Sequence, residues 1–541
     1  MMHSFSKLFK QLQLVYTKYD EQSHSEKSIL LHGLKQQKLP LNQLLPDYAN
    51  TLLFIIAHPP DSQIFELAQA ELLRISGFLK KLKSDHKEKW SNSGLPFTIM
   101  RSNFSHDLIK WMLEMKIPID LYDFKDEGLE FKECLKFVLP DLEKEICSIA
   151  DSNLEMLNYL NVKRPKYLNF LVTIFNRLES QVLLKDYLFD KLNLQFEIKL
   201  KEQSHSKLFN KIPVSSIFYH RSILKKFDHL ELLNRVLPEL SAVNAELQEC
   251  IQVVSKLKLM LLQRETEPVS YMDAKSIRYY QLENGISIAL FTMIPSRQLP
   301  IESYVGYTLF KNGYPAAYGG AWLLGKRALF GINIFEWFRG GESGFILCQL
   351  LRTYRQIFSI DYFEIEPYQY GLGNPEGIES GAFWFYYRFG FRPVDKTLNL
   401  LAKNENDKIA KNKAYKSSSR VLEKFTQSNL SLNLDRTVPF AMWQLRDSVS
   451  NMIHKLYSDN RLLAEQECLN NFVLKSGFNK EITSDQKHVL IDLVLICKAF
   501  KLEHEEHYQK LIPLILSKPV DVYKYQKELI SFLGLPGFKI N

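Results

Sequence analysis

Three stretches of the chain carry different hydrophobic periods. From residue 1 to about 265, apolar positions recur at helical spacing. Ile64, Ala68, Leu72, Ile75 and Leu79 share one face behind Pro59-Pro60-Asp61, and Asp61 is placed to cap that helix. Leu247, Cys250, Ile251, Val254, Leu257 and Leu261 form a second stripe, while Pro118, Pro140, Pro165 and Pro213 punctuate the rest. Near residue 266 the pattern shortens. Segments 286–293, 304–310, 314–323 and 329–336 are rich in Ile, Tyr, Phe and Val. Asn312-Gly313 stands between the second and third, and both of these residues tolerate the positive φ of a two-residue hairpin. The four segments predict an antiparallel meander.

Helical spacing returns over 344–358, with Leu347, Leu350, Leu351, Tyr354 and Phe358 on one face. Segment 362–366 predicts another strand. Asn374-Pro375 predicts a helix start, with Asn as cap and Pro in the first turn, running to about Arg388 and stopping at Gly390. Segment 403–420, rich in Lys, Asn and Ser, reads as an exposed helix followed by a loop. Segment 430–434 reads as a last strand, and helix resumes from about Pro439. The predicted fold class is α+β. A central mixed sheet with helices over 266–436 lies between an all-α N-terminal domain, 1–265, and an all-α C-terminal domain, 437–541.

Composition adds limits rather than chemistry. A length of 541 residues calls for two to four domains. The net charge of +8 comes from 69 basic against 61 acidic residues, so it is a mixed surface and does not indicate nucleic acid as a partner. Six scattered cysteines form no C-x-x-C pair, so neither a disulfide framework nor a zinc site is suggested, and scattered thiols fit a reducing compartment. His58, His106, His205 and His220 share no ligand spacing. The histidines of His504-Glu505-Glu506-His507 are three apart, so no metal site is expected. Residues 1–19 lack the apolar core of a signal peptide, and the longest apolar runs, 51–57 and 493–497, are far short of a membrane span. The cytoplasm is the expected location.

Candidate chemistry concentrates in Arg339-Gly340-Gly341-Glu342-Ser343-Gly344, between a strand and a helix. Glycines let a ligand approach the backbone, the helix start offers unpaired N–H groups to an anion, and Arg339 adds charge. A second anchor is Ala382-Phe383-Trp384-Phe385-Tyr386-Tyr387-Arg388-Phe389-Gly390-Phe391. With this order of elements, the segment resembles the GCN5-related N-acetyltransferase superfamily. That family's last helix carries Ala-x-x-Phe-Tyr-x-x-x-Gly-Phe, matched here by Ala382, Phe385, Tyr386, Gly390 and Phe391. Its glycine turn, Arg/Gln-x-x-Gly-x-Gly/Ala, is matched at its ends by Arg339 and Gly344. Glu342 stands at the middle glycine, with Gly341 one residue earlier. The segment 301–394 is also similar to a group of large bacterial proteins that carry such a domain inside helical sequence.

The resemblance implies an acyl-CoA donor, acetyl-CoA above all, and an acceptor amine on a small molecule or a protein. It implies that the backbone of Glu336, Trp337 and Phe338 pairs with the pantetheine arm, and that the amides of Gly340, Gly341, Ser343 and Gly344, with Arg339, hold the pyrophosphate. It also puts Tyr386 where a tyrosine protonates the departing thiolate, and Glu336 where some members place a glutamate base. Residues 266–436 contain no histidine, so an imidazole base from that span is excluded. Glu364 and Glu366, two apart on a strand, are further carboxylates on one face. The loop 367–374 lies where acceptors approach in this family. Two other readings stay open: a non-catalytic CoA sensor or scaffold whose helical flanks bind a protein partner, and a transferase that uses aminoacyl-tRNA as donor.

Overall fold

The computed structural model describes residues 4–124, 130–150 and 152–538. The ends of the expected domains, 1–3 and 539–541, lie outside them. The fold class is α+β, with helices flanking a central mixed sheet. Two compact units divide the chain. One gathers Met1–Ser222, Ala245–Tyr271 and Lys311–Pro315; the other gathers Ile223–Asn244, Met272–Phe310 and Ala316–Asn541. Both are discontinuous in sequence, unlike the boundaries expected at 265/266 and 436/437. Among the described residues no helix is long and apolar enough to cross a membrane.

The first unit opens with four helices, Phe5–Val15, Glu21–Lys35, Leu44–Ala57 and Ser62–Lys81. Asp20 and Asp61 cap the second and fourth, accepting from the N–H groups of Ser23 and Ile64. Tyr48 in the core donates to buried Glu71, which Arg74 neutralises at 2.6 Å while also donating to the carbonyls of Leu34 and Gln37. The all-helical expectation for this flank needs one correction. Strands β1 (Ile99–Ser102), β2 (Ile119–Phe124) and β3 (Leu194–Lys199) form an antiparallel sheet in the order β1-β3-β2. In β3, Leu194, Phe196 and Ile198 point inward while Gln195, Glu197 and Lys199 face out, and Arg101 on β1 reaches across to Glu197. The period of two lasts only six residues, and helical sequence surrounds it. Asn312 and Gly313 take φ of 46° and 83°, the hairpin conformation that the Asn-Gly pair predicts. The Asn312 amide also accepts from the Phe218 N–H and donates to the carbonyls of Ala57 and Phe218.

The larger sheet, most of whose residues belong to the second unit, has eight strands: β4 (Arg278–Gln281), β5 (Ile286–Thr292), β6 (Ser303–Lys311), β7 (Tyr314–Leu324), β8 (Arg327–Ile334), β9 (Tyr362–Ile365), β10 (Arg392–Pro393) and β11 (Leu430–Asn433). Their spatial order is β10-β11-β9-β8-β7-β6-β5-β4, and β8 and β9 run parallel. Four helices matter to the site: α1 (His229–Asn234), α2 (Ser343–Phe358), α3 (Pro375–Glu379) and α4 (Ala382–Arg388). The single helix expected over 375–388 is broken at Gly381, whose φ of +64° starts α4 afresh. Asn374 makes no side-chain cap; it donates to the Tyr368 carbonyl. Helix α2 buries Leu347, Leu350, Leu351, Tyr354 and Phe358, the face that its spacing predicts. The C-terminal helices, among them Met442–Tyr457, Arg461–Ser476, Ser484–Ala499 and Val522–Leu533, close on a core that includes Leu445, Phe472, Leu493, Leu514 and Tyr525.

Candidate active site

Strands β8 and β9 pair only at Arg327↔Tyr362, Ala328↔Phe363 and Leu329↔Glu364. Beyond Leu329, β8 keeps its ladder with β7 as far as Ile334↔Ala317, while β9 ends at Ile365. A parallel pair that parts in mid-sheet leaves backbone groups of one strand without a ladder partner, and such groups need another one. For Ile332 that partner is Gln369, on the single helical turn Pro367–Tyr370 that follows β9. The Ile332 N–H donates to Gln369 Oε1 at 3.3 Å. Tyr386 on α4 donates its hydroxyl to the same oxygen at 3.4 Å. Burial pushes that hydroxyl well above the usual phenol range, so it stays protonated and remains a donor. Two donors, one backbone amide and one phenol, therefore converge on a carbonyl-type oxygen inside the split between the strands. Preorganised donors of this kind stabilise an oxygen on which negative charge develops.

The neighbouring loop is held in place by fit. Tyr370 is fully buried and donates to the Ser428 carbonyl. Gly371, at φ +144°, sits so close to Ile378 that a Cβ would lie 2.2 Å from its Cδ1, so glycine is required there.

The strand-to-helix turn departs from the arrangement that the resemblance implies. Strand β8 ends at Ile334, not at Glu336. The Phe335 N–H donates to the Ala316 carbonyl, and the chain then folds into one 3-10 turn, Glu336–Phe338, drawn inward by buried Phe335 and Phe338. The N–H groups of Phe338 and Arg339 are spent on the carbonyls of Phe335 and Glu336. Trp337 stacks on Phe335 at 5.9 Å, and Glu336 is exposed. The unladdered edge facing the split is therefore that of Ile332, several residues before Glu336–Phe338.

Further along the turn, Arg339 is exposed, donates through Nε to the Ile334 carbonyl at 3.1 Å and pairs with Glu376 of α3. Gly340 is exposed with φ +81°, whereas Gly341 is buried. Glu342 is only 1% exposed, and its carboxylate accepts from the Leu224 N–H at 3.2 Å. Ser343 and Gly344 are half-buried. A Cβ on Gly344 would meet Phe389 at 2.2 Å, so this glycine serves a close packing contact with a ring. Phe227 packs edge-on to Phe345 at 5.5 Å and stacks on Phe389 at 6.0 Å, and His229 packs against the same Phe389. Residues 224–229 thus cover the first turn of α2. Asp228 caps α1 behind them, accepting from the N–H groups of Leu230 and Glu231.

The remaining carboxylates part company. Glu364 is buried, paired with Arg327 and bonded by Asn429 at 2.8 Å, which makes it a strut of the sheet. Glu366 lies beyond the end of β9 and is exposed. Cys348 is fully buried, and burial pushes its thiol up to about 12, so it is no nucleophile. No group of three or more His, Cys, Asp or Glu side chains able to hold a metal occurs among the described residues.

Sequence patterns point to Tyr386 and to the turn, and to the loop that carries Gln369. They carry no signal for Ile332 as a donor, whose partner Gln369 lies 37 residues on, or for Leu224, Phe227 and His229 as the cover of the turn, whose contacts join segments more than a hundred residues apart. Compared with protein-family models, curated proteins and solved structures, the chain matches none.

Proposed function

We propose that the chain is an N-acyltransferase of the GCN5-related kind, moving an acyl group, acetyl first of all, from a coenzyme A thioester to an amine. The observation that carries this reading is the convergence of the Ile332 N–H and the Tyr386 O–H on one oxygen in the split between β8 and β9. Gln369 supplies that oxygen here; the carbonyl of a thioester has the same acceptor chemistry. The acyl end fits these residues. The first turn of α2 carries the buried Glu342 side chain at the position that the resemblance gives to a phosphate.

In the reaction the amine nitrogen bonds to the acyl carbon, the carbon–sulfur bond breaks, and thiol and amide are released. Ile332 and Tyr386 hold the carbonyl oxygen as charge gathers on it, and Tyr386 has the proton that the leaving sulfur takes. The acceptor must arrive as a free amine or lose its proton to a base. Glu336 is exposed, so it is a base only if an acceptor covers it. The acceptor is a small molecule or a protein, the compartment is the cytoplasm, and the helical flanks are the place for a protein partner.

A second reading, a CoA-sensing or scaffold protein, is favoured by buried Glu342 at the expected phosphate position. Calorimetric titration of the purified chain with acetyl-CoA, CoA and ATP separates the two. Acetyl-CoA binding near micromolar, about −8 kcal/mol, with weaker CoA and no ATP binding, supports transfer. CoA bound as tightly as acetyl-CoA supports sensing, and no binding of either at millimolar ligand removes transfer and sensing and leaves the scaffold.

A further inference from the structure

We infer that the Gln369 side chain is a resident mimic of the acyl carbonyl: its oxygen occupies the Ile332 N–H and the Tyr386 hydroxyl, and a thioester binds by displacing it. The inference rests on the acyltransferase reading above and adds a control on entry to that same site.

Gln369 Oε1 accepts from the Ile332 N–H at 3.3 Å and from the Tyr386 hydroxyl at 3.4 Å. A backbone N–H only donates, so the amide atom facing it is the oxygen and not the nitrogen. Both bonds are long for neutral pairs, and the Gln369 side chain is only half-buried, so a competing oxygen can take its place. Its Nε2 has no acceptor among the described residues, so the oxygen alone ties the amide down. Across from it stands Gly331, which has no side chain to clamp the amide; even a Cβ built there would lie 3.7 Å from Nε2. The backbone that carries Gln369 is held by other groups. The Gln369 N–H donates to the Glu366 carbonyl at 3.0 Å, and the Leu372 N–H donates to the Pro367 carbonyl at 3.0 Å. Buried Tyr370 is tied to the Ser428 carbonyl, and Gly371 packs on Ile378. The side chain can therefore swing out while the turn stays in place. A carboxamide and a thioester offer the same kind of planar carbonyl oxygen to the two donors, so they compete for one position. The apparent affinity for the thioester is then reduced by the share of molecules in which Gln369 holds that position.

The test is calorimetric titration with acetyl-CoA of the wild type, Gln369→Ala and Gln369→Glu. Alanine removes the competing oxygen. Glutamate keeps its reach and accepts from the same two donors more strongly, because a carboxylate makes charge-assisted bonds. Gln369→Ala is expected to bind acetyl-CoA about tenfold tighter than the wild type, the size of one or two neutral hydrogen bonds no longer competed for. Gln369→Glu is expected to bind it about tenfold more weakly. Opposite signs from the two variants are the signature, since the loss of a merely structural contact would not strengthen binding. With the wild type binding, a Gln369→Ala affinity that is unmoved or weaker overturns the inference and leaves the acyltransferase reading standing. So does a Gln369→Glu affinity equal to or tighter than that of the wild type. Binding by Gln369→Ala alone supports the inference in its strongest form. Failure of all three proteins to bind at millimolar acetyl-CoA removes the acyltransferase reading and this inference together. Gln369→Glu, the closer match in shape, carries the test should the alanine variant not fold.

Discussion

Replacing Arg352 by methionine removes the charge that ties residues 235–236 to α2. Arg352 is fully buried and makes five hydrogen bonds: Nε to the Arg235 carbonyl at 2.7 Å, Nη2 to the Val236 carbonyl at 2.5 Å, and Nη1 to both Glu283 oxygens, at 3.0 and 2.9 Å, and to Gln349 Oε1 at 3.0 Å. Methionine fills much of the same volume and replaces none of these donors. Breaking a buried pair by removing one partner costs about 3–5 kcal/mol. The Glu283 side chain is 33% exposed, so water reaches it, and it keeps Arg235 at 3.7 Å and the Gln349 amide at 2.7 Å. Arg235 and Val236 are exposed and their carbonyls can rehydrate. Both facts put the loss at the low end, about 3 kcal/mol. For a unit of this size, roughly 2 °C is lost per kcal/mol, so the transition of the second unit should fall by about 6 °C in scanning calorimetry. Residues 223–244 should become the first site of limited proteolysis, because the same bonds hold that segment down. A transition within about 1 °C of the wild type, with the cleavage pattern unchanged, would refute the reasoning, since the network would then carry no net stability.

Other consequences are independent of that network. Asp107 lies 3.0 Å from buried Lys185 through both oxygens; burial alone would raise its carboxyl, but the contacts with His106 and Lys185 outweigh that and hold it well below the usual range. Its folded pKa lies below the unfolded value of about 3.9, so its stabilisation is complete above that pH and is lost as pH falls through the folded value. Asp107→Asn should cost the first unit about 3 kcal/mol at pH 7 by urea unfolding, and equal midpoints would contradict this. Lys518 is buried, donating to the Glu302 carbonyl and to Ser303 Oγ, and burial holds its pKa far below the lysine range. The unfolded chain therefore binds a proton there that the folded chain does not. Stability should rise with pH toward the ordinary lysine range by up to about 1.4 kcal/mol per pH unit relative to Lys518→Met; parallel pH curves would exclude it. Tyr386→Phe should slow acyl transfer by about 10²–10⁴-fold, measured as thiol release, and an unchanged rate would end its role as acid.

Much of the eight-stranded sheet and of α2 is legible from pattern. The Asn312-Gly313 turn, the inward face of α2 and the strands around residues 286–334 and 362–365 follow from local periods and turn chemistry, which operate over a few residues. The three-stranded sheet of the first unit is not legible in the same way. The alternation of Leu194, Phe196 and Ile198 is real, but its partners Met100 and Leu121 stand many residues earlier, on strands of four and six residues.

The site shows the same division. Tyr386 is readable because its helix carries a dense aromatic pattern, and it is buried as that pattern requires. Glu336 reads as the end of a strand because aromatic residues continue past Ile334; instead, buried Phe335 and Phe338 turn the chain into a 3-10 turn that leaves Glu336 in solvent. Glu342 is visible as an odd residue in a glycine turn. Its bond to the Leu224 N–H depends on a segment over a hundred positions away, which no local rule reaches.

The central claim, that Ile332 and Tyr386 hold an acyl carbonyl oxygen, is tested most directly by the carbon-13 resonance of acetyl-CoA labelled at the thioester carbonyl, recorded on saturating wild type and on Tyr386→Phe. Two donors on the oxygen draw electron density from the carbon, so the bound resonance should move downfield on the wild type and return part of the way on the variant. A bound resonance at the position of the free ligand, the same for both proteins, would contradict the account.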